Sequence, residues 1–333
     1  MGVPELKTTP IWGNSRLVEN NINPVGMDVA SHGGQNRVVY REVKQFRSWV
    51  PWIIPCFVVA NVVMFVITMF FNNCPKKSGE CFADFLGRFS FQSIKENPLL
   101  GPSSLTLQKM GGLDVKRVVQ HQEEWRLISC NWLHGGVIHL VVNMITLLII
   151  GIRMEREFGF LRIGLLYVIS GLGGSILSAL FLRSSVSVGA SGAMLGLLGG
   201  ILSEIIINWT IYTNKAIALV TVVVLVAVNL AMGFLPGVDN FAHIGGLATG
   251  FLLGFVLLIR PHFGWISHRP APGGVSSAAS THRFKIYQCV LWTISLVLLM
   301  AGFVIGLVAL FNNVDGNKQC SWCHYLSRIP TSR

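Results

Sequence analysis

The sequence predicts an all-α polytopic membrane protein, a six-helix bundle followed by a seventh, C-terminal transmembrane helix. Apolar residues make up 52% of the 333 positions and charged residues only 12%, about half the roughly 25% of a soluble domain. Seven apolar stretches fall at about 49–71, 132–152, 159–182, 189–208, 215–235, 240–259 and 286–311. Each is near the roughly 20 residues that cross a bilayer. The 35 glycines agree, because glycine is commoner in transmembrane helices than in soluble ones. The same composition excludes intrinsic disorder, and seven cysteines in this length do not make a secreted disulfide scaffold.

The elements follow in order. Residues 1–47 are polar and mixed in charge, and they read as a cytosolic tail. They contain no early apolar segment of a signal peptide, and Glu5, Glu19 and Asp28 do not suit an acid-poor mitochondrial presequence. Leu6 stands where a myristoylation signal after Gly2 expects Ser or Thr. A core then spans 48–260, with one long loop at 73–130. A linker at 261–285, rich in Pro, Gly, Ser and His, precedes the seventh helix at 286–311, and a polar tail closes the chain at 312–333.

Charge sets the orientation. The formal net charge is +11, but the basic residues are spread among loops, which suits lipid headgroups and topology rather than nucleic acid. Arg37, Arg41, Lys44 and Arg47, then Arg153 and Arg156, then Lys215, then Arg260, Arg269, Arg283 and Lys285 share one side. The opposite short loops carry only Arg183 and Asp239. The positive-inside rule puts the N-terminus in the cytosol and, after seven crossings, the C-terminus in a lumen or outside. Loop 73–130 is also basic, but long segments translocate largely regardless of charge. Cys74, Cys81, Cys320 and Cys323 then share an oxidising space and are expected to form two disulfides, with three connectivities open. Asn208-Trp209-Thr210 matches the glycosylation sequon but falls on the cytosolic side, where it stays unmodified.

Polar groups inside spans are costly and therefore mark function. The second span opens with His134, His139 and Asn143, the fourth with Gly189-Ala190-Ser191-Gly192, the sixth with Ala242-His243-Ile244-Gly245-Gly246. These three spans run in the same direction, so Ser191, His243 and His139 lie at similar depth below the far-side surface. His139 and Asn143, four apart, share a helix face. Gly192, Gly196 and Gly200 form a ridge without side chains on the fourth span, as do Gly246, Gly250 and Gly254 on the sixth; such ridges let helices approach closely. Serine is a poor nucleophile until a base takes its proton, and histidine is that base near neutral pH. His139 and Asn143 offer N–H donors for an oxyanion. No His-Glu-x-x-His string and no pair of intramembrane aspartates is present, so metallo and aspartyl proteolysis are set aside. A transporter would need deeper charges or broken helices.

These strings resemble the rhomboid family of intramembrane serine proteases over about residues 49–260. Trp125-Arg126 in the loop and Gly151-xxx-Glu155-xxx-Gly159 at the end of the second span are similar to family features too. The span after the core resembles the eukaryotic secretory-pathway type, and the tail near Cys320 resembles plant members. The resemblance implies a Ser191–His243 dyad without an acidic third member. It assigns His139, Asn143 and the Ser191 N–H to the oxyanion, His134 and Gly189 to the pocket, Trp125 and Arg126 to a membrane-seated loop, and Glu155 to a structural cap. It also implies single-span membrane proteins as substrates, cut near the luminal end of the transmembrane segment, in the Golgi or plasma membrane. No metal or other cofactor is implied. Leu195 departs from the bacterial pattern, which has Tyr one turn after the nucleophile. The rival function is that of an inactive rhomboid-like protein that binds or escorts membrane clients.

Overall fold

A computed structural model describes residues 49–77, 80–209, 215–233, 238–259, 262–264, 281–320 and 323–326. The tail 1–47, Arg260, most of the linker 261–285 and the sequon's Thr210 lie outside the described residues. The helices are α1 (Ile53–Asn72), α2 (Cys74–Lys77), α3 (Ser104–Met110), α4 (Val115–Gln120), α5 (Arg126–Ser129), α6 (Val137–Phe158), α7 (Phe160–Phe181), α8 (Ser191–Ile207), α9 (Lys215–Met232), α10 (Asn240–Leu257), α11 (Ile286–Phe311) and α12 (Gly316–Gln319). Two small antiparallel ribbons stand outside this pattern. Strands β1 (Cys81–Phe82) and β2 (Phe91–Gln92) pair in one, β3 (His262–Gly264) and β4 (Thr281–Arg283) in the other.

All seven expected spans are helical, but their lengths differ from the expectation. Among the described residues, five helices are long and apolar enough to cross a membrane, while Ser191–Ile207 and the apolar run Ala216–Ala231 are shorter. At 1.5 Å per residue the 17 residues of α8 reach about 26 Å, short of the roughly 30 Å hydrocarbon layer. The second span is displaced: it was expected at 132–152 and is helical over Val137–Phe158. Cys130–Trp132 form a 3-10 turn and Leu133 is extended, so His134 precedes the helix instead of opening it.

Burial follows from composition. α8 is apolar or glycine nearly all round, and it sits in the middle with 13 of its residues buried, as expected of a helix without a polar face. α11 buries only Gln288, Ser295, Leu299, Gly306 and Leu310. That alternating seven-and-four spacing is one stripe of a helix whose other faces are free for lipid. α8 and α10 are the most closely packed pair, followed by α10 with α7.

The α8–α10 contact is made backbone to backbone. A Cβ at Gly246 would fall 2.0 Å from the Gly192 carbonyl oxygen, and one at Gly250 would fall 2.1 Å from that of Gly196. Gly254 likewise lies against Gly200. The two glycine ridges of the sequence therefore face each other, rung for rung. No side chain larger than hydrogen fits at these rungs without separating the helices.

At the other end of the bundle, α1 lacks a capping side chain at Trp52. The buried Glu155 of α6 supplies the cap. Its carboxylate accepts the backbone N–H groups of Trp52 (2.8 Å), Ile53 (2.8 Å) and Ile54 (3.0 Å), so orphan donors of the helix start are satisfied by an anion where the helix dipole favours one. Gly151 and Gly159 flank it and leave room for Ile54 and the Trp49 ring. The seventh helix is tied at the same end: Tyr287 Oη (2.9 Å) and Gln288 Nε2 (3.2 Å) both donate to the Ile207 carbonyl that ends α8. Asn208 is buried, and its amide donates to Glu204 (3.2 Å) and to the Leu258 carbonyl (3.1 Å), joining the ends of α8 and α10. Replacing Glu155 with Ala strips three amides of their acceptor, at about 1–3 kcal/mol for each buried group left unmade. The expected outcome is a loss of about 3 kcal/mol or more, read as a lowered thermal midpoint of the detergent-purified protein, with Glu155→Gln losing less because one acceptor oxygen remains.

Candidate active site

The site forms where α6, α8 and α10 begin. Ser191 is the first residue of α8 and is only partly buried. His243 lies one turn into α10 and is 4% exposed. The glycine rungs set the level at which they meet. Gly192, next after Ser191, lies against Ala242, the residue before His243, and against Gly246. The two side chains therefore leave their helices at the same height.

The approach to Ser191 requires glycine. Gly189 has φ +137°, a conformation that side-chain-bearing residues rarely adopt. A Cβ there would fall 2.7 Å from His139 Cε1 and 3.6 Å from Ser191 Oγ. His139 and the serine hydroxyl therefore border one small space, which Gly189 keeps open. The His134 and His139 rings meet edge to face, with centroids 5.3 Å apart. Asn143, one turn after His139, is 4% exposed, and His134 is 1% exposed. Leu195, one turn below Ser191, is fully buried. The sequence-predicted residues Ser191, His243, His139, Asn143, His134 and Gly189 are thus gathered at one end of three helices.

Their hydrogen bonding is incomplete. Among the described residues, neither ring nitrogen of His134, neither ring nitrogen of His243, and not Asn143 Nδ2 has a partner. The Ser191 hydroxyl and the His243 ring are accordingly not hydrogen-bonded in this structure. Buried polar groups are normally paired. Catalytic hydrogen bonds are often long before substrate binds.

Loop 73–130 is a built structure around the site. Cys74 and Cys81 are joined in one disulfide, and Cys320 and Cys323 in another. Asn72 Oδ1, at the end of α1, accepts from Gln92 Nε2 (3.3 Å), Ser103 N (3.0 Å) and Thr106 Oγ1 (3.0 Å). Arg126 is 2% exposed. Its guanidinium donates to the carbonyls of Gln108 (2.5 Å) and Gly112 (2.9 Å) and to Glu123 (2.5 Å). The half-exposed Trp125 ring packs over that guanidinium, 4.8 Å away. Leu113 exchanges both backbone hydrogen bonds with Ser187 (2.9 and 3.1 Å), and Gly189 N–H donates to the Cys130 carbonyl (3.0 Å). The strand-like lead-in to Ser191 is therefore hung on the loop that Arg126 organises. The sequence reading did not single out Ser187, Cys130 or Asp239. Asp239 stood as a lone loop acid, although an Asp just before an apolar helical run is itself an N-cap signal.

Comparison with known proteins identifies the family. The family model described as Rhomboid domain matches residues 121–260. RHOMBOID-like protein 4 of Arabidopsis thaliana is 69% identical, over the whole of this chain and 87% of its own length. RHOMBOID-like protein 6, mitochondrial, of the same plant is 55% identical over 86% of this chain and 94% of its own. Inactive RHOMBOID-like protein 8, also from Arabidopsis, is 41% identical over 85% and 82%. The chain belongs to the rhomboid family and is a multi-pass, plant-type member of it. Rhomboids are generally serine intramembrane proteases.

Acid tests the loop. The hydrogen bond and charge of Arg126 hold the Glu123 carboxyl below its ordinary value. Burial pushes the Asp114 carboxyl up, but donors from Gln108, Arg117 and Lys116 outweigh it, and the net shift is also downward. Depressed carboxylates stabilise the fold above their unfolded values, 4.5 and 3.8, and that stability is lost as pH falls through the lower folded values. Below about pH 4, segment 104–129 is expected to gain amide exchange ahead of the spans, as measured by hydrogen–deuterium exchange. Glu123→Gln removes its share of that pH dependence.

Proposed function

We propose that this chain is an active rhomboid protease that cleaves single-span membrane proteins near the end of the transmembrane segment, through Ser191 and His243. The supporting observation is the cluster itself: one hydroxyl and three buried or half-buried imidazoles, with an amide, near the starts of three helices, several of them without internal partners among the described residues. Their donors and acceptors are free for a substrate. Ser191 attacks the scissile carbonyl as His243 takes its proton, and His243 returns that proton to the leaving amine. The Ser191 N–H, His139 and Asn143 face the oxyanion; a donor of this kind is typically worth about 3–4 kcal/mol in the transition state. His134 and Gly189 shape the pocket, while Trp125 and Arg126 hold the loop beside it. A substrate helix must unwind locally, because its carbonyls are otherwise engaged in hydrogen bonds. No metal or other cofactor takes part. The core at 48–260 carries the reaction, with 73–130 as luminal loop; the tail 1–47 and linker 261–285 are cytosolic, and helix 286–311 leads to a luminal tail at 312–333.

Orientation belongs to the same proposal. An N-terminus in the cytosol and the site facing a lumen of the secretory pathway, Golgi or plasma membrane, suits both the loop charges and two disulfides on the site side. A second reading, an inactive member that binds membrane clients, is favoured by the relative named inactive. That reading is opposed by the presence of both Ser191 and His243.

Co-expression with a single-span reporter carrying a helix-weakening luminal boundary separates the two. Wild type is expected to release the luminal fragment, and Ser191→Ala and His243→Ala to reduce release by at least 100-fold while accumulating to wild-type levels. Release that persists in both variants refutes the dyad.

A further inference from the structure

Asp239 joins the three pieces of chain that must stay in register for Ser191 to meet His243. Oδ1 accepts the Ala242 N–H at 3.0 Å and so caps the start of α10. Oδ2 accepts two hydroxyls from elsewhere in the chain. One is Ser187 Oγ, at 2.5 Å, from the lead-in four residues before the nucleophile. The other is Ser178 Oγ, fully buried near the end of α7. The Asp239 carbonyl accepts the His243 N–H at 3.3 Å, closing the helical turn that presents the imidazole. One carboxylate therefore holds the helix of the base and the lead-in of the nucleophile to the same scaffold helix.

The alternatives to this tie are weak. Ser187 has its other anchor on Leu113, in the loop, and Gly189 has its own on Cys130; both lie outside α10. The glycine rungs bring α8 and α10 together and set their level, but they make no directional bond to the Ser187 lead-in or to the first turn of α10. A charge-assisted acceptor shared by two hydroxyls is directional and stronger than its neutral counterpart. It resists the small displacements that cost most at a reacting centre.

We propose that Asp239 is a positioning residue for the Ser191–His243 reaction: it acts through Ser187 and the α10 cap and touches neither substrate nor the reacting atoms. The proposal rests on the protease reading above. It differs from a triad carboxylate, because Asp239 bonds to the backbone and to serines and makes no bond to either His243 ring nitrogen, neither of which has a partner among the described residues.

The test uses the full chain in lipid nanodiscs, a purified single-span reporter and a fluorophosphonate probe that phosphonylates the serine, its oxygen bonding to phosphorus as fluoride leaves. The variants are Asp239→Ala, Asp239→Asn and the double variant Ser178→Ala/Ser187→Ala. Asp239→Ala is expected to lower kcat at least 10-fold with KM within twofold of wild type, and to slow Ser191 phosphonylation in the same proportion. The double variant leaves the cap intact and is expected to reproduce most of that loss. Asp239→Asn keeps a capping oxygen and is expected to recover activity relative to Asp239→Ala. Unchanged kcat in a folded Asp239→Ala, a change confined to KM, or a double variant at wild-type rate overturns the positioning role while leaving the protease reading intact. Should Asp239→Ala fail to fold, the double variant decides alone. A folded wild type that neither cleaves nor is phosphonylated at Ser191 refutes the protease reading, and the positioning role with it.

Discussion

The contact between α8 and α10 is the constraint on which the rest of the structure depends. A bilayer supplies little hydrophobic force between helices, since lipid tails are as apolar as leucine. What holds this pair is direct backbone contact along Gly192, Gly196 and Gly200 on one side and Gly246, Gly250 and Gly254 on the other. That contact has two consequences. It makes α8 the buried centre of the bundle, and it levels Ser191 with His243. The proposed pairing of a short serine side chain with an imidazole on a neighbouring helix requires such an approach, closer than the ordinary helix spacing of about 8–10 Å.

Around this pair the chain uses polar groups as fasteners. Glu155 anchors α1 to α6 through three amides at one end. At the same end, Tyr287 and Gln288 attach the seventh helix to the Ile207 carbonyl, the last of α8. At the site end, Arg126 gathers the loop, the loop pairs with Ser187, and Ser187 meets Asp239. The post-core tail is held there too, through Arg183 to Asn313 (2.7 Å) and Val314 (2.5 Å). Apart from the exposed Asn313 and Tyr287, these fasteners are buried or half-buried, where a satisfied polar group specifies one arrangement and an unsatisfied one is costly. Among the described residues, the ring nitrogens of His134 and His243 and the Nδ2 of Asn143 are left without partners, and all three residues belong to the proposed site.

Much of this was legible in the sequence, for identifiable reasons. Apolar run length gave the helices, and glycine spacing gave the two ridges, because both properties are periodic along one segment. The depth of Ser191, His243 and His139 followed from their shared position at the starts of parallel spans. Loop 73–130 was not legible. Its order comes from Arg126, Asn72 and the Leu113–Ser187 pairing, contacts between residues far apart in the chain that no local pattern announces. The displaced start of α6 was missed because apolar content continues through Trp132 and Leu133 even though the backbone is not helical there. Asp239 was undervalued for the same reason as the loop: its partners Ser178 and Ser187 lie 61 and 52 residues away.

The most direct measurement adds one methyl group at the rung beside the site. The rate at which a fluorophosphonate phosphonylates Ser191, located by peptide mass spectrometry, is compared among wild type, Gly246→Ala and Gly302→Ala. A Cβ at Gly246 lands on the Gly192 backbone, whereas one at Gly302 on α11 meets nothing within 4 Å. If backbone contact is what brings nucleophile and base together, Gly246→Ala remains helical but is phosphonylated at least 10-fold more slowly, and Gly302→Ala matches wild type. Phosphonylation of a folded Gly246→Ala at the wild-type rate would contradict the account.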